Sequence, residues 1–316
     1  SMSKIAFIYP GQGAQKAGMG ADFYENREIA RYIFDQAGEE LDLDMKELCF
    51  EENDRLDLTE YTQAAMVTTC LAMTRVAESK GLKADITAGL SLGEYPAIAA
   101  AGGMNDMDAI RLVRKRGILM QNTVPAGEGA MCAVISMAAE EIEKVIEPIA
   151  DVSVANYNCP GQIVITGKTD AVEEAAAKLK EAGARRTIML NVSGPFHSQM
   201  LVPAGEKLAE ELEHTRFHEL RIPYVTNVTA EKVTDIRETP GLLTTQISSP
   251  VRWMQSMERM IADGVDTFVE IGPGKTLEGF LRKIDRSVKV FHISQWEDVD
   301  KVCTELADSG KMMEEA

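Results

Sequence analysis

Residues 4–9 (KIAFIY) form a short apolar run closed by Pro10-Gly11, the pattern of a strand buried on both faces. A glycine-rich loop follows, and the segment around 21–38 reads as a helix. Residues 85–90 (DITAGL) again read as a strand, and LGEYPAIAAAG just behind Ser91 has helical composition. Ile110, Val113, Gly117 and Met120 recur at helical spacing within 105–122. Strands separated by helices predict a mostly parallel, covered sheet.

Between 127 and 195 the order changes to strand (AMCAVISM), helix (EEIEKVIEPI), strand (VSVANY), strand (QIVITG), helix (DAVEEAAAKLKEA) and strand (RRTIMLN). This β-α-β-β-α-β series is the ferredoxin-like arrangement. Pro125-Ala126-Gly127 and Ser193-Gly194-Pro195 flank it. The expected organisation is a large α/β domain over 1–126 and 196–316, with a small ferredoxin-like subdomain over 127–195 inserted in it. Further on, the pattern predicts a helix at 203–213, a strand near 222–226, a helix near 253–263 and a strand at 266–271. A Gly-Pro-Gly turn, a helix at 276–284, a strand at 288–293 and a terminal helix complete it.

Composition narrows the class. The 316 residues carry 33 Lys+Arg against 50 Asp+Glu, a net charge of −17. Such a surplus of acid excludes a general nucleic-acid binder and disfavours docking on anionic membrane. It does not exclude a local basic patch. Five scattered cysteines without a C-x-x-C pair suit reduced thiols in a cytosol, so a cytoplasmic location is expected. No apolar run reaches the length of a membrane span.

The sharpest chemical feature is Gly89-Leu90-Ser91-Leu92-Gly93, a G-x-S-x-G pentapeptide between strand and helix. Glycines permit the tight turn of a nucleophile elbow, which lifts Ser91 Oγ clear of the sheet. The next N–H, on Leu92, then points where an oxyanion develops. An ordinary βα turn is the competing reading. A serine needs a base, and the chain has four histidines. His214 and His218 have metal-pair spacing but sit among charged residues near a helix end and read as solvated surface. His292, in an apolar strand, reads as a packed core residue. His197, in the loop Gly194-Pro195-Phe196-His197-Ser198, is favoured by elimination. Gly11-Gln12-Gly13 lacks the phosphate-loop pattern, because Lys16 occupies the sixth position, and Gln12 could instead offer a backbone N–H to an oxyanion. Arg111, Arg114, Lys115 and Arg116 crowd six residues without an acid. Most should be solvated, but one arginine turned inward beside the serine would grip a carboxylate with two parallel hydrogen bonds.

Seven segments occur in the order found in the malonyl-CoA:acyl-carrier-protein transacylases of bacterial fatty-acid synthesis, which the chain resembles over nearly its whole length. They are PGQGAQ (10–15), GLSLGEYPA (89–97), KRGILMQ (115–121), NCPGQIVITG (158–167), GPFHS (194–198), QISSPVRW (246–253) and EIGPGKTLEG (270–279). The resemblance implies a hydrolase-like α/β domain plus a ferredoxin-like subdomain, with the site between them. It implies Ser91 as nucleophile, His197 as base, and Gln246 orienting His197 through its main-chain carbonyl. It further implies an oxyanion hole from the N–H groups of Gln12 and Leu92, and a malonyl carboxylate held by Arg116. Met120, Asn158 and Phe196 fall with the substrate-binding residues, Phe196 filling the space a methyl branch would need. One departure stands out: the family reads G-H-S-L-G, and this chain has Leu90 before the serine.

On this resemblance the expected reaction is a double displacement through a malonyl-Ser91 ester, without metal or other cofactor. The partners would be malonyl-CoA and an acidic acyl carrier protein, and the chain would act as a monomer. Arg111, Arg114, Lys115, Arg185, Arg186, Lys275, Arg282 and Lys283 are the candidates for a carrier-docking patch. Three alternatives stay open: a serine thioesterase or esterase of the α/β-hydrolase type, a malonyltransferase of polyketide synthesis, and a carrier-docking module with a decayed site.

Overall fold

A computed structural model describes residues 3–192 and 194–308; Ser193, expected in the exit from the small subdomain, lies outside the described residues. β1 (Lys4–Tyr9) is buried along all but its first residue, as its unbroken apolar run requires. The expected helix over 21–38 is two helices, α1 (Ala21–Asn26) and α2 (Glu28–Leu41), because Arg27 between them is extended. α3 (Met45–Phe50) is capped by the Asp44 carboxylate, which accepts the Glu47 N–H. α4 (Thr59–Ser79) runs through the core with most of its surface covered. β2 (Ile86–Gly89) leads through the serine turn into α5 (Glu94–Ala100), and α6 (Asp106–Thr123) packs on α4.

The next elements follow the expected order: β3 (Gly129–Ile135), α7 (Ala139–Ile146), β4 (Val152–Cys159), β5 (Gln162–Lys168), α8 (Thr169–Glu181) and β6 (Arg186–Met189). These strands form an antiparallel sheet in the order β4-β5-β3-β6. Ile142 and Ile146 of α7 and Val172 and Leu179 of α8 cover one face and close a separate apolar core with Val134, Ile163 and Ile165. The two ends of this stretch touch: a side chain on Gly129 would collide with Pro195, 2.3 Å from its Cβ position.

The chain then forms α9 (Val202–Glu213), β7 (Tyr224–Val225), β8 (Lys232–Val233), α10 (Thr239–Gln246) and α11 (Trp253–Ala262). β9 (Val265–Ile271), α12 (Thr276–Ile284), β10 (Lys289–Ile293) and α13 (Trp296–Asp308) complete it. The larger sheet has the order β10-β9-β1-β2-β7-β8, parallel throughout except for the edge pair β7–β8. The strand expected near 222–226 is thus only two residues long. The architecture is mixed α/β, with one mostly parallel sheet and one antiparallel sheet. The antiparallel sheet is tied to the segment just before α11, where the Val251 carbonyl accepts the Tyr157 N–H and its N–H donates to the Ala155 carbonyl, at 2.9 and 2.7 Å. Among the described residues no helix is long and apolar enough to cross a membrane, and no His/Cys/Asp/Glu cluster has metal-binding geometry.

Two histidine expectations need correction: His218, expected on a solvated surface, is only partly exposed, and its Nε2 is buried without a partner among the described residues. His292 is half-buried and polar in its contacts: Nδ1 lies 3.6 Å from Glu278 and Nε2 lies 4.0 Å from Asp298. It sits on β10, an edge strand whose face is open to these carboxylates, so an apolar strand pattern did not make it a core residue.

Candidate active site

β2 ends at Gly89, and the next turn has no room for side chains. A Cβ on Gly89 would lie 1.8 Å from the Gly93 carbonyl oxygen, and one on Gly93 would lie 2.5 Å from that of Tyr9. Leu90 stays extended and continues the ladder to the Tyr9 carbonyl at 2.9 Å. Ser91 then adopts φ 57°, a left-handed conformation that costs a non-glycine residue roughly 1–2 kcal/mol. Both glycines are therefore steric requirements of the elbow.

His197 has the same strain, with φ 63°, and only 4% of its surface is exposed. Its Nδ1 lies 2.9 Å from the Gln246 carbonyl, an acceptor only, so Nδ1 carries the proton. Nε2 is left as the acceptor for the Ser91 hydroxyl at 2.8 Å. Burial and the nearby Arg116 charge push the imidazole down to about 4, against a smaller opposing effect of the Gln246 carbonyl. The ring is therefore neutral at pH 7 and able to take a proton.

Of the four clustered bases only Arg116 turns inward, and it is fully buried. Gly117 permits this: a side chain there would lie 2.7 Å from the Thr59 carbonyl, so its absence lets α6 approach α4 closely. Arg116 Nη1 donates to Gln63 Oε1 at 2.8 Å, and Nη2 donates to Gln246 Oε1 at 3.0 Å and to Ser91 Oγ at 3.1 Å. Nε has no partner among the described residues. Desolvation lowers the guanidinium pKa, yet no carboxylate bonds it directly, so the group is a cation awaiting an anion. The other clustered bases face outward: Arg111 pairs with Glu40 and Asp108, Lys115 with Glu211, and Arg114 lies over the Tyr61 ring.

A cleft of about 730 Å³ opens onto Ser91. Gln12, Leu92, Arg116, Met120, Asn158, Phe196 and His197 all line it, and Gln246, bonded to His197 and Arg116, stands just behind the cleft wall. The Gln12 side chain is held by Thr59 at 2.8 Å, which keeps its main chain at the rim. Met120 and Phe196 are both buried, and Met120 Sδ accepts from Gln63 Nε2 at 3.2 Å. Leu90, in the departing position, also lines the cleft and packs beside Leu277 and Phe280.

Three residues escaped the sequence. Gln63 bonds Arg116. Asn227, after β7, accepts the Ser91 N–H at 2.8 Å and donates to the Gly89 carbonyl at 2.7 Å. Glu94 accepts the Asn227 N–H at 2.7 Å, and burial raises its carboxyl to about 7. None falls in a spacing pattern that marks chemistry.

An α/β fold that lifts a serine onto a strand-to-helix elbow, against a neutral histidine and a buried arginine, is that of a serine-dependent acyl-group enzyme. The acyl transferase domain family matches residues 6–299. The chain is 44% identical over 304 residues to the malonyl CoA-acyl carrier protein transacylase of Bacillus subtilis, covering 95% of this chain and 96% of that one. It is similar to the solved malonyl CoA-acyl carrier protein transacylase of Clostridium perfringens, with TM-score 0.93, 42% identity and 98% of each chain covered. It is also similar to a malonyl-transacylase solved in complex with its type II PKS acyl-carrier protein. There the TM-score is 0.93 and the identity 35%, over 96% of this chain and 100% of that one. The chain belongs to the acyl transferase domain family, among its malonyl CoA-acyl carrier protein transacylases.

Proposed function

We propose that this acyltransferase moves a malonyl group from malonyl-CoA to the phosphopantetheine thiol of an acyl carrier protein, through an ester on Ser91. The observation that carries this reading is one contact chain: Gln246 carbonyl, His197, Ser91 Oγ and Arg116, with links of 2.9, 2.8 and 3.1 Å. His197 Nε2 takes the hydroxyl proton as Ser91 Oγ attacks the thioester carbon. The tetrahedral oxyanion is held by the N–H groups of Gln12 and Leu92, donors of a kind worth roughly 10²–10³ in rate. The C–S bond breaks, and His197 returns the proton to the departing CoA sulfur. The carrier thiol then gives its proton to His197, attacks the ester carbon and releases Ser91 Oγ, which takes that proton back.

Arg116 receives the distal malonyl carboxylate, exchanging its Ser91 contact for charge-assisted bonds. Met120, Asn158 and Phe196 shape the acyl and thioester channel. Every proton and electron pair comes from substrate, Ser91 or His197, so the cycle calls for no cofactor. A hydrolase reading is disfavoured because His197 Nδ1 meets a main-chain carbonyl, with no triad carboxylate, and because Arg116 would lack a purpose.

In this reading the larger unit is hydrolase-like, spans 1–126 and 196–316, and carries a ferredoxin-like insertion over 127–195. The chain acts as a cytoplasmic monomer and supplies malonyl carrier for fatty-acid elongation. Docking falls to Arg185, Arg186, Lys275 and Lys283, exposed and without ion pairs among the described residues. Arg111, Lys115 and Arg282 already have acidic partners. The test is to incubate the protein with malonyl-CoA and holo carrier and weigh the carrier. A malonyl-carrier product supports the reading; free malonate with unchanged carrier supports a hydrolase.

A further inference from the structure

Ser91 holds a conformation that an L-residue resists, and something must hold it there. The Asn227 carboxamide spans both ends of the turn: Oδ1 accepts the Ser91 N–H at 2.8 Å and Nδ2 donates to the Gly89 carbonyl at 2.7 Å. Gln246 Nε2 adds a bond to the Ser91 carbonyl at 3.0 Å and lies 3.3 Å from Asn227 Oδ1. The main-chain groups before and after Leu90, together with the carbonyl of Ser91, are thereby all fixed.

Asn227 is itself anchored. Its N–H donates to Glu94 Oε1 at 2.7 Å and its carbonyl accepts the Arg252 N–H at 3.0 Å. Asn227 and Glu94 are both fully buried, and Glu94 is on α5, the helix that the elbow feeds. The brace thus closes a ring: β2 end, Asn227, Glu94 and the first turn of α5. The peptide plane between Ser91 and Leu92 sets where the Leu92 N–H points. Bonds to the N–H and carbonyl of Ser91 fix the φ and ψ that orient that plane.

We infer that Asn227, backed by Glu94, is a positioning residue that locks the strained Ser91 main chain and so aims both the nucleophile and the Leu92 N–H at the reacting carbonyl. It touches no substrate; it acts through Ser91. The inference rests on the transferase reading for its substrate, but not for its geometry.

The experiment compares Asn227→Ala, Glu94→Leu and Glu94→Gln with the parent protein, in malonyl-CoA loading and in inactivation by a fluorophosphonate probe. A phosphonyl oxygen uses the same hole, so the probe reads the elbow whatever the natural acyl donor is. For Asn227→Ala, kcat and the phosphonylation rate should each fall about 100-fold while KM for malonyl-CoA stays within about threefold, because Arg116 is untouched. The Gln side chain still offers an oxygen to the Asn227 N–H, so Glu94→Gln should recover at least about tenfold of the rate lost in Glu94→Leu. A folded Asn227→Ala with kcat within twofold of the parent, or a loss confined to KM, overturns the inference. If Asn227→Ala does not fold, the Glu94 pair decides: equal rates for the Leu and Gln variants overturn it. A parent protein that reacts with the probe but never loads malonyl refutes the substrate reading alone, and the probe rates still judge the brace.

Discussion

Arg116 Nη2 donates to Ser91 Oγ across 3.1 Å, so the cation that would recognise a carboxylate touches the hydroxyl that would attack the thioester. A malonyl group bound there has its two ends set by two residues already in contact. In the proposed reaction, substrate choice and nucleophile placement are therefore one arrangement.

Arg116→Ala should therefore depress malonyl transfer far more than acetyl transfer. Losing a charge-assisted pair costs about 1.5–3 kcal/mol, a differential of roughly 10- to 100-fold. Parallel transfer rates with malonyl-CoA and acetyl-CoA check it. An equal loss on both would remove Arg116 from carboxylate recognition.

The pH dependence follows from His197. The ring must be neutral to accept the Ser91 proton, and its pKa is held down to about 4 by burial first and Arg116 second. Loading should persist well below pH 6.5 and fail as pH drops through about 4. In Arg116→Gln the acid limb should move upward, because one depressing cause is gone. Stability responds over the same window. An unfolded chain protonates this histidine from its ordinary 6.5 downward, so His197 contributes stability that is lost as pH falls from 6.5 towards 4. Glu94 runs the other way: its folded carboxyl holds a proton up to about 7, so its contribution is lost as pH rises through that value. Acid unfolding of Glu94→Gln should thus be steeper between pH 4.5 and 6.5 than that of the parent; equal slopes would deny the opposing Glu94 contribution.

The parts of the fold that could be read in advance are those bounded by glycine or proline. β1, the elements over 129–189 and α12 are apolar runs or stripes between such stops, and they appear within about three residues of the expected limits. α4 was illegible because it is covered on nearly all sides, and Thr62, Thr68, Thr69 and Thr74 break the apolar stripe that marks a surface helix. Ser91, His197 and Arg116 could be found because elbow, loop and charge cluster each have a local signature. Asn227 lies 136 residues from Ser91, and only the neighbouring of β2 and β7 brings it beneath the elbow. The Gln246 side chain was missed for the same reason, although its carbonyl was expected.

Leu90→His should change the transfer rate by less than about tenfold. Leu90 contributes its main chain to the ladder and its side chain to an apolar contact, while Ser91 and His197 are anchored by Asn227 and Gln246. Steady-state transfer kinetics decide it; a change near a hundredfold would show that the position has a chemical role.

Reversing Arg186 and Lys275 to glutamate should weaken use of the carrier, raising its KM, and leave malonyl loading intact. Both are exposed, and each precedes cleft-lining residues by a few positions at most. Unchanged carrier kinetics across the pair would end that assignment.

The central claim is the malonyl ester on Ser91, and intact mass spectrometry tests it most directly. After mixing with malonyl-CoA the protein should gain one malonyl group. That group should be missing from Ser91→Ala and should be discharged when holo carrier protein is added. No adduct, an adduct that persists in Ser91→Ala, or one that water clears as fast as carrier would contradict the claim.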